Sequence, residues 1–231
     1  MAAKVEVLAD ERAAARRAAE LIAEAGAAAA AECGSFSLAM SGGRSPWAML
    51  AILGELEQMP WERTELFQVD ERIASPGSED RNLTHMVLGL SMDHQAALRP
   101  MPVTQRDLEA AAREYESSLP ERLDLVHLGL GPDGHTASLV PGDSVLEVTD
   151  RRVALTETTY QGHPRMTLTY PAIDAARRIL WLVTGAEKRE PLAKLLAGDR
   201  SIPAGRVENE EMIVIADEAA AAATSRSART R

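Results

Sequence analysis

The sequence predicts an α/β fold in which a mostly parallel sheet is flanked by helices. Short apolar runs alternate with longer amphipathic stretches, which is the order that parallel strands joined by crossover helices require. Two of the runs, at 123–130 and 178–184, are apolar at successive positions and are typical of strands buried on both faces. The chain has only 3 Trp, 3 Tyr and 2 Phe, so Leu, Ile, Val and Met must build the core.

The N-terminal elements follow from capping residues and hydrophobic runs. Residues 5–8 are predicted to form the first strand. Asp10 can cap a long alanine-rich helix that extends to about residue 32, and Gly34 can end it. Pro46 suits the first turn of a second helix. The other elements predicted here are strands at 36–40 and 66–69 and helices that extend to about 57 and over 83–90.

The C-terminal half continues the alternation. Asp217 can cap a short alanine-rich helix that follows the last strand. The elements predicted before it are a helix at 107–119, the two buried strands, a helix that includes 192–196 and the last strand at 212–216.

Loops rich in Pro and Gly separate these elements, but none is long enough to be an interdomain linker. The sequence therefore predicts a single domain over 1–223. Residues 224–231 have the composition of a frayed basic tail.

Composition and charge narrow the classes of function. The chain carries 25 Lys and Arg against 35 Asp and Glu, a formal charge of −10, which argues against nucleic-acid binding. Cys33 is the single cysteine, so no internal disulfide is expected. Early acidic residues argue against a secretory signal, and the apolar run at 25–31 is far shorter than the roughly 20 residues that span a bilayer. We therefore expect a cytoplasmic protein that binds neither nucleic acid nor membrane, and any anionic ligand needs a locally positive pocket.

The first candidate site is the loop Ser41-Gly42-Gly43-Arg44-Ser45-Pro46, between a predicted strand and a predicted helix. Ligands of open α/β sheets bind at the carboxyl ends of strands, and two glycines let main-chain amides approach an oxyanion at a helix N-terminus. The loop is neither a Walker sequence nor the three-glycine dinucleotide motif, so no nucleotide cofactor is predicted. The alternative is an ordinary glycine turn before the helix.

A second cluster, Asp70-Glu71-Arg72, directly follows another apolar run. It brings two carboxylates and a guanidinium to the same edge of the predicted sheet. The alternative is a solvated acidic turn, which charge runs usually form.

The most specific candidate is the glycine-rich loop that follows residues 123–130. It presents Asp133 and His135 two positions apart. Histidine transfers protons near neutral pH and a carboxylate can orient its ring, so we predict His135 as a catalytic base. His127, His85 and His94 are interpreted as core or surface histidines. No further His or Cys at metal-ligand spacing is present, so no metal is predicted.

Two basic residues follow later apolar or alternating segments. Arg165 opens the alternating segment 165–169, and Lys188 lies just after the strand predicted at 178–184. Each is either a phosphate partner or a charge on a helix surface.

Taken together, these motifs resemble the 6-phosphogluconolactonases, which share a sugar-phosphate superfamily with the glucosamine-6-phosphate deaminases. The resemblance covers nearly the whole chain. It implies a modified Rossmann-like sandwich that uses no cofactor. The motifs that carry it are Ser41-Gly42-Gly43, Asp70-Glu71-Arg72, the loop 129–139 with Pro141-Gly142, the segment 165–169, and Gly185-Ala186-Glu187-Lys188.

The resemblance also implies roles for individual residues. His135 activates water, Asp133 helps to position it, and Arg72 and Asp70 lie at the substrate. The remaining implied residues bind phosphate: Ser41, Gly42, Gly43, Arg165 and Lys188. Arg44 stands where relatives often have Ser or Thr, so its side chain either helps to bind phosphate or points away, and Ser45 can take over the hydroxyl contact.

The implied reaction is hydrolysis of a sugar-phosphate lactone. The deaminases of the superfamily place a Glu seven residues after the Asp of the histidine loop, and here that position is Val140, which cannot transfer a proton. Arg72 stands where the deaminase pattern tends to have an aromatic residue. Both features disfavour deamination, and a deaminase is the alternative enzyme. A non-catalytic sugar-phosphate sensor is the other alternative, although no segment is left for a helix-turn-helix domain.

Overall fold

The computed structural model describes residues 3–222, and it confirms the predicted α/β fold. In chain order the strands are β1 (Lys4–Leu8), β2 (Phe36–Met40), β3 (Thr64–Gln68), β4 (Asp70–Arg72), β5 (Leu98–Arg99), β6 (Leu125–Gly129), β7 (Val153–Leu155), β8 (Arg165–Leu168), β9 (Ile179–Val183) and β10 (Met212–Asp217). The α-helices are α1 (Glu11–Cys33), α2 (Arg44–Glu55), α3 (Asn82–Gly89), α4 (Leu108–Ser118), α5 (Tyr170–Asp174), α6 (Arg189–Leu196) and α7 (Glu218–Ala221). Single 3-10 turns lie at 61–63, 94–97, 144–147, 186–188 and 203–206.

The main sheet is parallel throughout, with seven strands in the order β1-β10-β9-β6-β2-β3-β5. Because all strands run in one direction, the loops that follow β2, β3, β6 and β9 emerge at the same edge. This edge carries the candidate site.

Each face of the main sheet is covered by its own apolar cluster. In β9, Ile179, Trp181 and Val183 pack with α4, α6 and α7, whereas Leu180 and Leu182 pack on the opposite face with α1, α2 and α3. This two-sided burial explains why the strand is apolar at successive positions.

The capping predictions for α1 are confirmed. The Asp10 side chain accepts a hydrogen bond from Ala13 N at 2.8 Å, and Gly34 ends the helix with φ of +83°. The Asp217 carboxylate likewise caps α7 through Ala220 N at 2.8 Å.

A small antiparallel sheet, β4-β8-β7, was not among the predicted elements. It packs on one face of the main sheet, with Val153, Met166 and Leu168 in the same cluster as α4. β8 lies within the alternating segment 165–169, but β4 and β7 have only three residues each and are too short to show a period of two, so periodicity does not reveal the sheet.

The tail predicted at 224–231 lies outside the described residues. No helix within residues 3–222 is long and apolar enough to cross a membrane.

Candidate active site

A cavity of about 500 Å³ opens at the carboxyl ends of β2, β6 and β9 and is bordered by β4 and β8. It brings together every site residue predicted from the sequence except Asp133, which is hydrogen-bonded to the cavity-lining His135. The predicted residues that line it are Ser41, Gly42, Gly43, Arg44, Ser45, Asp70, Arg72, His135, Arg165 and Lys188.

His135 and Asp133 form a hydrogen-bonded pair at the edge of this cavity. His135 Nδ1 lies 2.5 Å from Asp133 Oδ1, and the His135 main-chain amide donates to the same oxygen at 3.1 Å. The hydrogen bond from the imidazole holds the pKa of the Asp133 carboxyl well below its usual range, so the carboxylate is ionised and accepts a hydrogen bond from Nδ1–H. Nε2 is thereby left as the basic nitrogen, and the side chain, 20% exposed, is accessible to water.

A glycine makes this pair possible. A Cβ atom on Gly131 would overlap the His135 imidazole and lie 2.7 Å from Asp133 Oδ1. The loop closes on itself because Gly131 N donates to the His135 carbonyl at 2.8 Å, and Gly134 N donates to the Gly131 carbonyl at 3.0 Å. The glycine-rich sequence therefore allows the imidazole to fold back over its own loop.

The loop before α2 presents main-chain amides. Gly43 adopts a φ of +127° as the residue before the first helical turn. Within the described residues, the amides of Gly42 and Gly43 have no hydrogen-bond acceptor, so they are available to an anion at the N-terminus of the 12-residue helix. Ser41 differs, because its amide and its hydroxyl both donate to the His127 carbonyl at 3.2 Å.

Arg44 and Ser45 are engaged by a residue that the sequence did not single out. Arg44 Nε lies 3.3 Å from Glu11 Oε1, and the Arg44 side chain is 81% exposed. Ser45 Oγ donates to the same Glu11 oxygen at 2.7 Å and also lies 2.7 Å from Thr184 Oγ1. The first turns of α1 and α2 are thus tied together beside the cavity.

Lys188 lies on the 3-10 turn after β9 and is partly buried. Burial lowers the pKa of its ammonium, while the carboxylates of Glu187 and Asp133 act in the opposite direction. No carboxylate of residues 3–222 forms an ion pair with it, so its hydrogen-bond donors remain available to a ligand.

Arg72 and Arg165 lie side by side on paired strands of the small sheet. Arg72 Nη1 donates to the Asp80 carbonyl at 2.7 Å. Arg165 is buried and donates from Nη2 to the Tyr160 carbonyl at 2.8 Å. Burial lowers the pKa of Arg165, and the nearby Asp70 opposes that effect. Two guanidinium groups therefore line one wall of the cavity.

Asp70 and Glu71 are buried, so the alternative of a solvated acidic turn is wrong. The Asp70 carboxylate accepts a hydrogen bond from Ser138 Oγ at 2.6 Å, and burial raises its pKa. Glu71 accepts hydrogen bonds from Asn82 N at 2.7 Å and Leu83 N at 2.9 Å. Glu71 is therefore a structural residue that holds the start of α3.

Sequence reasoning missed several residues that line the cavity. A Cβ on Gly42 would overlap the Asn82 side-chain oxygen, so Asn82 packs directly under the glycine loop. His85, interpreted as a core or surface histidine, instead lines the cavity and stacks on Trp47 with ring centroids 5.3 Å apart. Single residues of this kind carry no local motif from which to predict them.

His127 and His94 agree with their interpretation as core or surface histidines. His127 is fully buried in β6, and burial lowers its pKa to about 3. His94 stacks on Trp61 away from the cavity, at a centroid distance of 4.6 Å. Within residues 3–222, no group of three or more His, Cys, Asp or Glu side chains is arranged to hold a metal ion.

Comparisons with known proteins identify a matching family and several relatives. The model of the family described as glucosamine-6-phosphate isomerases/6-phosphogluconolactonase matches residues 9–215. A 6-phosphogluconolactonase of Synechocystis is 35% identical over 211 residues, which are 85% of this chain and 86% of that protein.

Solved structures share the fold. A crystal structure of 6-phosphogluconolactonase from Thermotoga maritima superposes with a TM-score of 0.82 at 26% identity, and the match covers 93% of this chain and 99% of that one. A monomeric glucosamine-6-phosphate deaminase gives a TM-score of 0.81 at 22% identity, over 95% of this chain and 99% of that one. The fold alone therefore does not separate the two activities.

Proposed function

This chain belongs to the family of glucosamine-6-phosphate isomerases and 6-phosphogluconolactonases, and on that premise we propose how it hydrolyses 6-phospho-D-glucono-1,5-lactone to 6-phospho-D-gluconate. This hydrolysis is the second step of the oxidative pentose phosphate pathway. The observation that carries the mechanism is the His135–Asp133 pair at the edge of a cavity lined by cations and free amides.

His135 is the general base of the proposed reaction. Nε2 takes a proton from water, and the resulting hydroxide attacks the lactone carbonyl carbon. The tetrahedral oxyanion then collapses, the bond from this carbon to the ring oxygen breaks, and the ring oxygen takes up a proton. The imidazolium releases the proton it took from water, which restores the base. Asp133 accepts a hydrogen bond from Nδ1–H throughout, so it fixes the tautomer and stabilises the imidazolium.

The phosphate is assigned to the N-terminus of α2 and Lys188. The amides of Gly42 and Gly43, which have no acceptor within residues 3–222, donate to phosphate oxygens. The ammonium of Lys188, which has no ion-pair partner in the same part of the chain, supplies charge. Arg72, Asp70 and Arg165 meet the substrate from the small sheet. Arg165 also holds Tyr160, so replacing it would disturb more than one contact.

The deaminase alternative needs a further acid, and the structure offers none at the expected position. Val140 is a buried apolar residue and does not line the cavity. Ring opening with proton transfer between two carbons requires such a group, whereas lactone hydrolysis needs only one base and stabilisation of the oxyanion.

The deciding experiment is a lactonase assay on freshly generated 6-phosphoglucono-δ-lactone, corrected for spontaneous hydrolysis. Glucosamine-6-phosphate is assayed in parallel. We expect turnover of the lactone and none of the amine. Turnover of the amine alone would reverse the assignment.

Replacing Lys188 with Ala tests the phosphate site. A charge-assisted hydrogen bond contributes about 1.5–3 kcal/mol, so kcat/KM for the phosphorylated lactone should fall roughly 10- to 100-fold. Use of unphosphorylated glucono-δ-lactone should change little. The matched control is Lys194→Ala, because Lys194 lies on α6 and pairs with the exposed Glu190 at 2.9 Å. An equal fall in kcat/KM for both lactones would instead indicate that Lys188 acts at the reacting carbon or stabilises the fold.

Treatment with a chelator tests whether the imidazole of His135 activates water without a metal ion. His135 Nδ1 is already bonded to Asp133, so the pair acts by hydrogen bonding. We expect dialysis against EDTA to leave the lactonase rate unchanged. A loss that zinc or magnesium restores would contradict this mechanism.

A further inference from the structure

Tyr160 reaches the His135–Asp133 pair from a tight turn that precedes β8. Tyr160 N donates to the His163 carbonyl at 3.0 Å, and His163 N donates back to the Tyr160 carbonyl at 3.3 Å. The two residues between them have positive φ angles, +52° for Gln161 and +84° for Gly162. The turn is therefore closed by its own hydrogen bonds and has a defined shape.

Arg165 holds this turn against the cavity. Its Nη2 donates to the Tyr160 carbonyl at 2.8 Å, and its guanidinium lies 5.9 Å from the centre of the Tyr160 ring. A buried cation thus supports both the main chain and the aromatic face of Tyr160.

The Tyr160 hydroxyl lies beside both members of the catalytic pair. It donates to Asp133 Oδ2 at 3.3 Å and lies 3.4 Å from His135 Nδ1. The rings of Tyr160 and His135 meet edge to face, with centroids 5.0 Å apart. Burial and the negative charge of Asp133 raise the pKa of the phenol, so the hydroxyl keeps its proton and acts as a donor.

We propose that Tyr160 is a positioning residue for the lactonase reaction, acting through Asp133 to hold His135 in one tautomer and one orientation. Nδ1–H of His135 occupies Oδ1 of the carboxylate, and the phenol O–H occupies Oδ2. With both oxygens engaged, the carboxylate cannot rotate away from the imidazole, and the proton of the neutral imidazole stays on Nδ1. This inference rests on the proposed function, since it assigns the base to Nε2.

The test is Tyr160→Phe, which keeps the ring and removes the hydroxyl. Removing a hydrogen bond to a charged group at this distance should lower kcat about 10-fold. KM should stay within about twofold, because the proposed role of Tyr160 is to position Asp133 and not to bind the charged groups of the substrate. The matched control is Tyr170→Phe, which removes a hydroxyl bonded to the Pro203 carbonyl at 2.9 Å outside the cavity. Its kcat should equal that of the native enzyme.

A spectroscopic readout separates positioning from a merely structural effect. In protein labelled with ¹⁵N-histidine, the His135 signals are assigned by their absence in His135→Ala. The native enzyme should show a protonated Nδ1 and a bare Nε2, and Tyr160→Phe should show a mixture of both tautomers.

The outcomes of these measurements test the role of Tyr160 and the proposed function separately. An unchanged kcat and an unchanged tautomer in Tyr160→Phe would overturn the role of Tyr160 while leaving the base assignment intact. A fall in kcat without a change of tautomer would also overturn it. A tautomer mixture in the native enzyme would overturn it without any variant. Absence of lactonase activity in the native enzyme would instead refute the proposed function.

Discussion

The His135→Ala variant should hydrolyse 6-phosphoglucono-δ-lactone about 10²–10⁴ times more slowly than the native enzyme, because loss of a general base has that effect on rate. The fold should persist, since the imidazole is 20% exposed and its hydrogen bonds are confined to its own loop and Tyr160. The measurement is kcat with spontaneous hydrolysis subtracted, together with a thermal melt.

The matched control is His94→Ala, because His94 stacks on Trp61 and does not line the active-site cavity. That variant should keep the native rate. Near-normal turnover by a folded His135→Ala protein would remove the imidazole from the mechanism, and the water would then need another base.

A comparably large loss is expected from Gly131→Ala, a change of one methyl group. The added Cβ would overlap the His135 imidazole and crowd Asp133 Oδ1 at 2.7 Å, so the pair must move apart. A displacement of about 1 Å in a catalytic group can cost about 10² in rate, and loss of the base altogether costs up to about 10⁴. We therefore expect kcat to fall by about 10² or more, with a much smaller change in KM.

Gly54→Ala provides the control, because Gly54 lies in α2 outside the active-site cavity. A Cβ there would approach no atom closer than 3.8 Å, so this variant should keep its activity. Neither glycine has a positive φ angle, so backbone strain does not distinguish the two substitutions. Equal rates for the two variants would show that the imidazole does not depend on the close approach at Gly131.

The elements that the sequence predicts correctly are those set by neighbouring residues. Asp10 and Gly34 bracket α1 because capping depends on residues within one turn. The strands at 125–129 and 179–183 are recognisable because both of their faces are buried. The small sheet is not recognisable, since β4 and β7 have only three residues each and their pairing partners are distant in sequence.

The candidate site likewise contains residues that a local motif predicts and residues whose placement depends on distant contacts. The glycine loop and the histidine loop are continuous motifs, so their residues could be predicted and do meet at one cavity. The burial of Asp70 and Glu71 could not be predicted, because it depends on α3 and on Ser138. Tyr160 carries no motif at all, and its contact with Asp133 arises only when its turn folds against the histidine loop.

The position of β2 between β3 and β6 affects the order of events in folding. Met40, the last residue of β2, pairs with Gln68 on one side and with His127 on the other. The loop 41–46 begins at the next residue, so it gains its shape only after a loop closure that brings position 127 to position 40. Such closures are slow and make folding rates fall as sequence separation grows. After dilution from denaturant, helical content should therefore return before catalytic competence does, and enzymatic activity should recover with the slowest refolding phase.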